Sequence, residues 1–324
     1  MNTLQNKRLV ITAGIVAVLL GAGGGYWYMQ SQADSTVSTN SQATSIDTDS
    51  ESTEWSNLPT TNITLSDESL TISDAGTYIL SGSSTAGVTV NSDGNVRLVL
   101  NGATISSADG AAIDIKKAAI AVIETADGSE NSLADGTERS NEESDAVIYT
   151  TADVTFTGSG TLTIDAHFKH GVMAAHNLTI DSGTYTISSD AGNAIKADLN
   201  ITINGGTITI PTSEEGLEAP LITINDGSID IYATDDGING SESDLHASPV
   251  ITINGGNITV KVAAGDTDAI DSNGDLIING GTINLTGQST IDYDGTGAFN
   301  GGTLILNGQE ATTLPTQMMG GGQP

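Results

Sequence analysis

The stretch Ile201 to Ile210 reads ITINGGTITI, and near-copies follow at Ile222 to Ile231 (ITINDGSIDI), Ile251 to Val260 (ITINGGNITV), Leu276 to Leu285 (LIINGGTINL) and Phe299 to Leu306 (FNGGTLIL). Each copy is two short strands of period 2 joined at an Asn/Gly corner. The corner asparagines Asn204, Asn225, Asn254, Asn279 and Asn300 lie 21, 29, 25 and 21 residues apart. Looser copies run back through Leu178 to Ile187, Val154 to Ile164 and Val96 to Ile105. Strict alternation puts Ile201, Ile203, Ile208 and Ile210 on one side, and the next copy repeats this with Ile222, Ile224, Ile229 and Ile231. A strand with polar alternates cannot bury its apolar face alone. Coils stacked about 4.8 Å apart turn these faces into a continuous aliphatic ladder.

The repeat therefore predicts an all-β chain folded as a right-handed parallel β-helix, with coils of about 21 to 25 residues and three short strands per coil. Corner asparagines stack as hydrogen-bonded ladders, and glycine supplies the positive φ that the turn requires. Two insertions interrupt the period, one around Ser241 to Pro249 and a larger Gly/Asp/Ser/Glu-rich one at about Thr125 to Glu143, read as a projecting loop.

Residues 58–310 form the expected β-helix domain. Ahead of it, Lys7 and Arg8 precede an apolar run to about Met29 that is long enough to span a bilayer. Residues 1–33 thus read as a signal peptide, given the small residues at Ser31 and Ala33, or as a signal anchor, given Tyr26, Trp27 and Tyr28. Either reading places the remainder outside the cell, secreted or anchored to the membrane. Residues 34–57 have too little apolar content to order themselves and read as a stalk, and residues 311–324 as a disordered Met/Gly/Gln/Pro tail.

Nine Lys and Arg against forty Asp and Glu give a formal net charge of −31, which excludes nucleic acid as a partner. With no cysteine there are no disulfides, zinc–thiolate sites or thiol nucleophiles, so any metal chemistry must rest on oxygen ligands. A monomer is expected.

A second motif lies between the strand pairs. Its copies are Ser144-Asp145-Ala146-Val147, Lys169-His170-Gly171-Val172, Gly192-Asn193-Ala194-Ile195, Glu214-Glu215-Gly216-Leu217, Asp235-Asp236-Gly237-Ile238 and Thr267-Asp268-Ala269-Ile270. The spacing stacks Asp145, His170, Asn193, Glu215, Asp236 and Asp268 in an outward column, with Glu214, Asp235, Glu218 and Asp271 beside it. Like charges at strand spacing repel unless a cation, a proton or water separates them. Ca2+, which takes six to eight oxygen ligands, suits such an edge, and Glu214, Glu215, Asp235, Asp236, Asp268 and Asp271 are the candidate metal ligands. The bland alternative is an acidic, solvated turn. His167 and His170 lack the spacing of a zinc site and read as a solvated pair.

These motifs, Asp/Asn-Gly/Ala-Ile followed by Ile-x-Ile-Asn-Gly-Gly-x-Ile, resemble those of a family of bacterial cell-surface carbohydrate-binding-domain proteins, over about Leu98 to Gly308. The resemblance implies a calcium-containing right-handed β-helix of polysaccharide-lyase-like fold that binds cellulose and acidic sugars. On that likeness Asp235, Asp236, Asn239, Asp268 and Asp271 form the acidic edge, with Asn193, Lys196, Glu214, Glu215 and Glu218 as further matches. The ligand-binding candidates are Asn193, Lys196, Glu218 and Asn239. Lys169-His170-Gly171-Val172 departs from the family's Asn-Asp-Gly-Ile.

Non-catalytic, calcium-dependent binding of an acidic polysaccharide, polygalacturonate-like or cellulose, is the expected function, since calcium can bridge two sets of carboxylates. A lyase needs a base to remove the proton beside a uronate, and Lys196 is the one candidate. A structural stalk or adhesin that binds no sugar is the third reading.

Overall fold

In the computed structural model of the chain, the described residues are 55–315, apart from 138, 140–142 and 266. They fall within the unit Asp47–Pro324. The leader, nearly all of the stalk and the Met/Gly/Gln/Pro end of the tail lie outside the described residues.

The described residues form thirty β-strands in a 20-stranded and a 10-stranded sheet. Strands follow one another in a repeating threefold order and pair with their counterparts one repeat away, which gives three parallel ladders. One ladder contains Asn177–Ile180, Asn200–Ile203, Leu221–Ile224, Val250–Ile253 and Asp275–Ile278 in succession. A second contains Thr184–Ser189, Thr207–Thr212, Ser228–Ala233, Asn257–Val262 and Thr282–Thr286. The third, the 10-stranded sheet, includes Ala146–Thr150, His170–Ala174, Ile195–Ala197, Leu217–Glu218, Ile238–Gly240, Asp268–Ser272 and Ser289–Tyr293. The expected all-β, parallel arrangement with three strands per repeat is therefore present.

Register follows the aliphatic alternation. Ile201 pairs with Ile222, and Ile222 with Ile251; Ile208 pairs with Ile229, and Ile229 with Ile258. All of these are buried in one core that runs from Leu65 to Leu304. A one-residue slip would turn every isoleucine outward, at roughly 1.5–3 kcal/mol per side chain, so the register is tightly fixed.

The corner asparagines form the expected ladder. Asn225, Asn254, Asn279 and Asn300 each donate Nδ2–H to Oδ1 of the preceding asparagine at 2.7–2.8 Å, and Asn204 donates to Asp181 at 2.8 Å. Two residues on, Gly206, Gly227, Gly256, Gly281 and Gly302 all have left-handed φ between 89° and 116°. At Gly281 a Cβ would also lie 2.9 Å from the backbone of Gly255 and Gly256 in the preceding coil.

Two findings revise the sequence reading. The projecting loop at Thr125 to Glu143 contains the strand Glu130–Ala134, paired with Thr161–Ala166 in the second ladder. Its inward residues are Leu133 and a polar Asn131, and the asparagine hides the alternation. Asn131 accepts from Gly102 N and Ala103 N and donates to Ser129 Oγ and Thr161 O, so its amide is accommodated in the interior. Arg139, within the segment read as a projecting loop, has a fully buried side chain ion-paired to Asp135. It also donates to Ala146 O and lies 4.8 Å from the Phe168 ring. At the far end the chain turns back as Gln309–Ala311, antiparallel to Thr303–Leu306, and Ala311 and Leu314 pack on the core.

Candidate functional site

The second motif marks the corner where the chain enters the third ladder. Its Gly/Ala position is a packing requirement. A Cβ on Gly216 would meet Gly237 O at 2.4 Å and Ile231 Cγ2 at 2.6 Å, and one on Gly237 would meet Ala269 O at 2.6 Å and Val260 Cγ1 at 2.1 Å. The small residue lets the corner close against the isoleucine column of the second ladder. The following Ile or Leu then points inward, and the flanking polar residues are presented outward.

The polar position before it stacks as expected. Gly171 N donates to Asn193 O, Ala194 N to Glu215 O, Gly216 N to Asp236 O and Gly237 N to Asp268 O, all within 2.9–3.2 Å. Three residues further along lies a parallel column, in which Met173 pairs with Lys196, Lys196 with Glu218, Glu218 with Asn239, Asn239 with Asp271 and Asp271 with Asp292.

Between Asn193 and Asn239 the two columns are tied into one network. Asn193 Nδ2 donates to Glu215 Oε2 at 2.9 Å and also to Glu218 Oε2. Asn239 Nδ2 donates to Glu215 Oε1 at 2.8 Å, Ser241 Oγ to Glu218 Oε1 at 2.8 Å, and Lys196 Nζ reaches Glu218 Oε2 at 2.5 Å. Burial, then the adjacent charge of Glu218, pushes the Glu215 carboxyl up to about 8. Burial also works against ionisation of Glu218, but the hydrogen bond and charge of Lys196 outweigh it and hold that carboxyl below the ordinary value. Glu215 is thus biased towards its protonated form and Glu218 towards its ionised form, and the Asn193 amide bridges the two.

Beyond Asn239 the face becomes purely acidic. Asp236 Oδ1 accepts from Asp268 N at 2.7 Å, Ser289 Oγ donates to Asp268, and Asn273 Nδ2 approaches Asp271 at 3.4 Å. Burial, followed by the charges of Asp236, Asp268, Asp292 and Asp294, pushes Asp271 up to about 7. Asn239 itself is only 9% exposed, and its Oδ1 has no hydrogen-bond partner. A buried amide oxygen without a donor and a carboxyl whose ionisation is opposed by burial and then by its acidic neighbours lie at adjacent register positions. Both are relieved by a hard cation. Among the described residues, however, no three His, Asp or Glu side chains converge closely enough to cage a metal by themselves.

Glu215, Asp236, Asp268 and Asp271 thus share one face with Asn193, Lys196, Glu218 and Asn239. Glu214 and Asp235 stack on each other through Asp235 N and Glu214 O at 2.9 Å, one residue before the column, and their carboxylates stand outside the network. Glu214 instead lines a shallow depression with Ser189, Asp190 and Thr234. His170 is buried, unlike the solvated residue expected of it. Its Nδ1 accepts from Asn193 N at 3.0 Å, and burial pushes it down to about 4, so the imidazole is neutral. His167 is exposed and pairs with Asp190 at 2.8 Å. Lys196, the lyase-base candidate, is engaged by Glu218.

Asp292, Asp294 and Ser241 join the site without having been singled out from the sequence. Asp292 has the register of Asp271, but Thr290 replaces the small residue before Ile291, so the motif does not flag it. Ser241 opens the insertion that runs to Pro249, whose Ser243 also donates to Asp198 O at 2.5 Å.

Stacked parallel coils bearing an acidic face define the class, and comparison with known proteins supplies the family. The family of carbohydrate-binding domain-containing proteins matches residues 66–311, and the chain belongs to it. A carbohydrate-binding domain-containing protein of Acetivibrio thermocellus is 30% identical over 183 residues, which cover 54% of this chain and 62% of the relative. The chain thus spans less than two thirds of that relative's length. Among solved structures, a polysaccharide lyase-like protein from C. thermocellum, determined as a gadolinium derivative, has the same fold with a TM-score of 0.58. It shares 24% identity and is covered over 75% of this chain and 99% of its own.

Proposed function

We propose that the coils wind as a right-handed parallel β-helix and that the acidic face binds an acidic polysaccharide, without catalysis, through Ca2+. Family membership supports carbohydrate as the ligand. The observation that carries the calcium reading is the unbonded Asn239 Oδ1 beside Asp271, whose ionisation is opposed by burial and then by Asp236 and Asp268. The donor set is all oxygen, as a hard cation requires. Asp236, Asp268, Asp271 and Asn239 would hold the ion, with Glu215 and Glu218 next to them. Because these residues do not form a closed cage, positions remain for the carboxylates of a polyuronate, and that is how two polyanions come to adhere. An exported, cell-surface location, secreted or held by residues 1–33, agrees with this ligand and with the leader sequence.

The test is binding of polygalacturonate to the whole protein by calorimetry, in millimolar calcium and in chelator. The expected result is binding in calcium, its loss in chelator and a loss of at least tenfold for Asp271→Asn. Full affinity in chelator would rule out bridging, and absence of binding in either buffer would remove the polyuronate reading.

A further inference from the structure

The outward column that carries Lys196, Glu218, Asn239 and Asp271 continues in the other direction with different chemistry. Lys196 pairs with Met173, and Met173 with Tyr149. Both side chains are half-buried, as are a number of other large apolar residues, Leu199, Leu221 and Val250 among them, but these two stand on the column that carries Lys196, Glu218, Asn239 and Asp271. Tyr149 and Met173 are neither core nor charge, and they lie in register with the carbohydrate face.

Two lysines lie next to this apolar step. Lys196 is one coil beyond Met173, with 28% of its side chain exposed, and Lys169, in the coil of Met173, is 46% exposed. Lys169 pairs with Asp145 at 2.6 Å and Lys196 with Glu218 at 2.5 Å. Each ammonium is held at the rim of the step with solvent access remaining. Elsewhere on the face carboxylates predominate, so this is where an anionic group can be received without a metal.

Two excursions from the coils border the same region. The segment after Glu130–Ala134 is anchored by Arg139 to Asp135 and Ala146, where the Tyr149 strand begins. The insertion from Ser241 to Pro249 reaches back to Glu218 through Ser241 and to Asp198 through Ser243.

We propose that Tyr149, Met173 and Lys196 form a subsite for one uronate ring of the bound polysaccharide, the ring's C–H face resting on Tyr149 and Met173 and its carboxylate meeting Lys196. The proposal rests on the carbohydrate reading above. A pyranose ring is close in length to the spacing of neighbouring coils, about 4.8 Å, so a chain lying along the column places successive sugars from this apolar step towards the cation-binding edge. Sugar C–H groups and an aromatic face are complementary in the same way as the positive edge and negative face of two rings.

Met173 is one of five methionines, and its methyl signal in protein labelled at methionine, assigned by its loss in Met173→Gln, is a direct probe. Titration with a galacturonate trimer in calcium should shift that methyl. Tyr149→Ala and Met173→Gln should each weaken polygalacturonate binding about three- to tenfold, while its sensitivity to chelator is kept. Lys196→Gln should lower the preference for the galacturonate trimer over a neutral cello-oligosaccharide. If the polymer binds in a calcium-dependent way while the methyl is unmoved and Tyr149→Ala binds as wild type, the subsite is wrong and the polysaccharide reading stands. If neither polymer nor trimer has any effect, both are wrong. A cello-oligosaccharide that shifts the methyl as strongly as the uronate, with Lys196→Gln unchanged, would overturn the choice of an acidic sugar.

Discussion

Asp271 and Glu215 set the pH behaviour of the cation-free protein. Their ordinary values are 3.8 and 4.5, and in the folded chain they are pushed up to about 7 and about 8, chiefly by burial. The folded state therefore binds these protons more tightly than the unfolded chain. The contribution to stability is complete below about pH 4 and is lost as pH rises towards 7 to 8. Melting temperature in chelator should accordingly fall between pH 5 and 8, and Asp271→Asn, which is neutral at every pH, should flatten that slope. On the proposed calcium reading the ion replaces the proton, so the stabilisation that added calcium gives should grow over the same interval. A melting curve in chelator that rises with pH would contradict this. Lys196 gives a second residue-scale expectation: with its ammonium engaged by Glu218, no unsaturated product should appear from polygalacturonate in calcium at neutral or alkaline pH. Product formation that Lys196→Ala abolishes would make the protein a lyase.

At the scale of the strand and its corner, the Asn/Gly turn and the Gly/Ala-Ile entry do different work. The turn fixes the stacking of the first two ladders through the asparagine chain and left-handed glycines. Gly281→Ala should cost about 1–3 kcal/mol in chemical denaturation, because a Cβ is penalised both by φ and by the backbone of the preceding coil. The entry corner is set by packing, as the approach of Gly237 to Ala269 O shows. The turn, the aliphatic columns and the stacking of the second motif were all legible in the sequence, since each rests on local periodicity. Glu130–Ala134 was not, because its alternation depends on a buried Asn131 whose partners, besides the adjacent Ser129, come from two other segments. Nor was the burial of Arg139 and His170: each is enclosed by residues from neighbouring coils.

Over the whole molecule, a charge of −31 makes self-repulsion a general destabilising force that any cation screens, so a specific site must be separated from ionic strength. Calcium at millimolar concentration should raise the melting temperature more than sodium chloride of equal ionic strength, and the excess should disappear in Asp236→Asn/Asp271→Asn. Equal shifts would mean screening alone. By itself the sequence determined the parallel coils, their period, the inward isoleucines and the column of polar groups at each entry corner, because a repeat that must bury one face can only stack on itself. Tertiary structure alone decided which of those polar groups act together. It joined Asn193, Glu215, Glu218 and Asn239, left Glu214 and Asp235 outside, brought in Asp292 and Ser241, and set Tyr149 and Met173 in line with them. The physical reason is that side chains from coils 20 to 30 residues apart meet across a spacing of about 4.8 Å, and rotamer, burial and insertions, which no period encodes, determine their contacts.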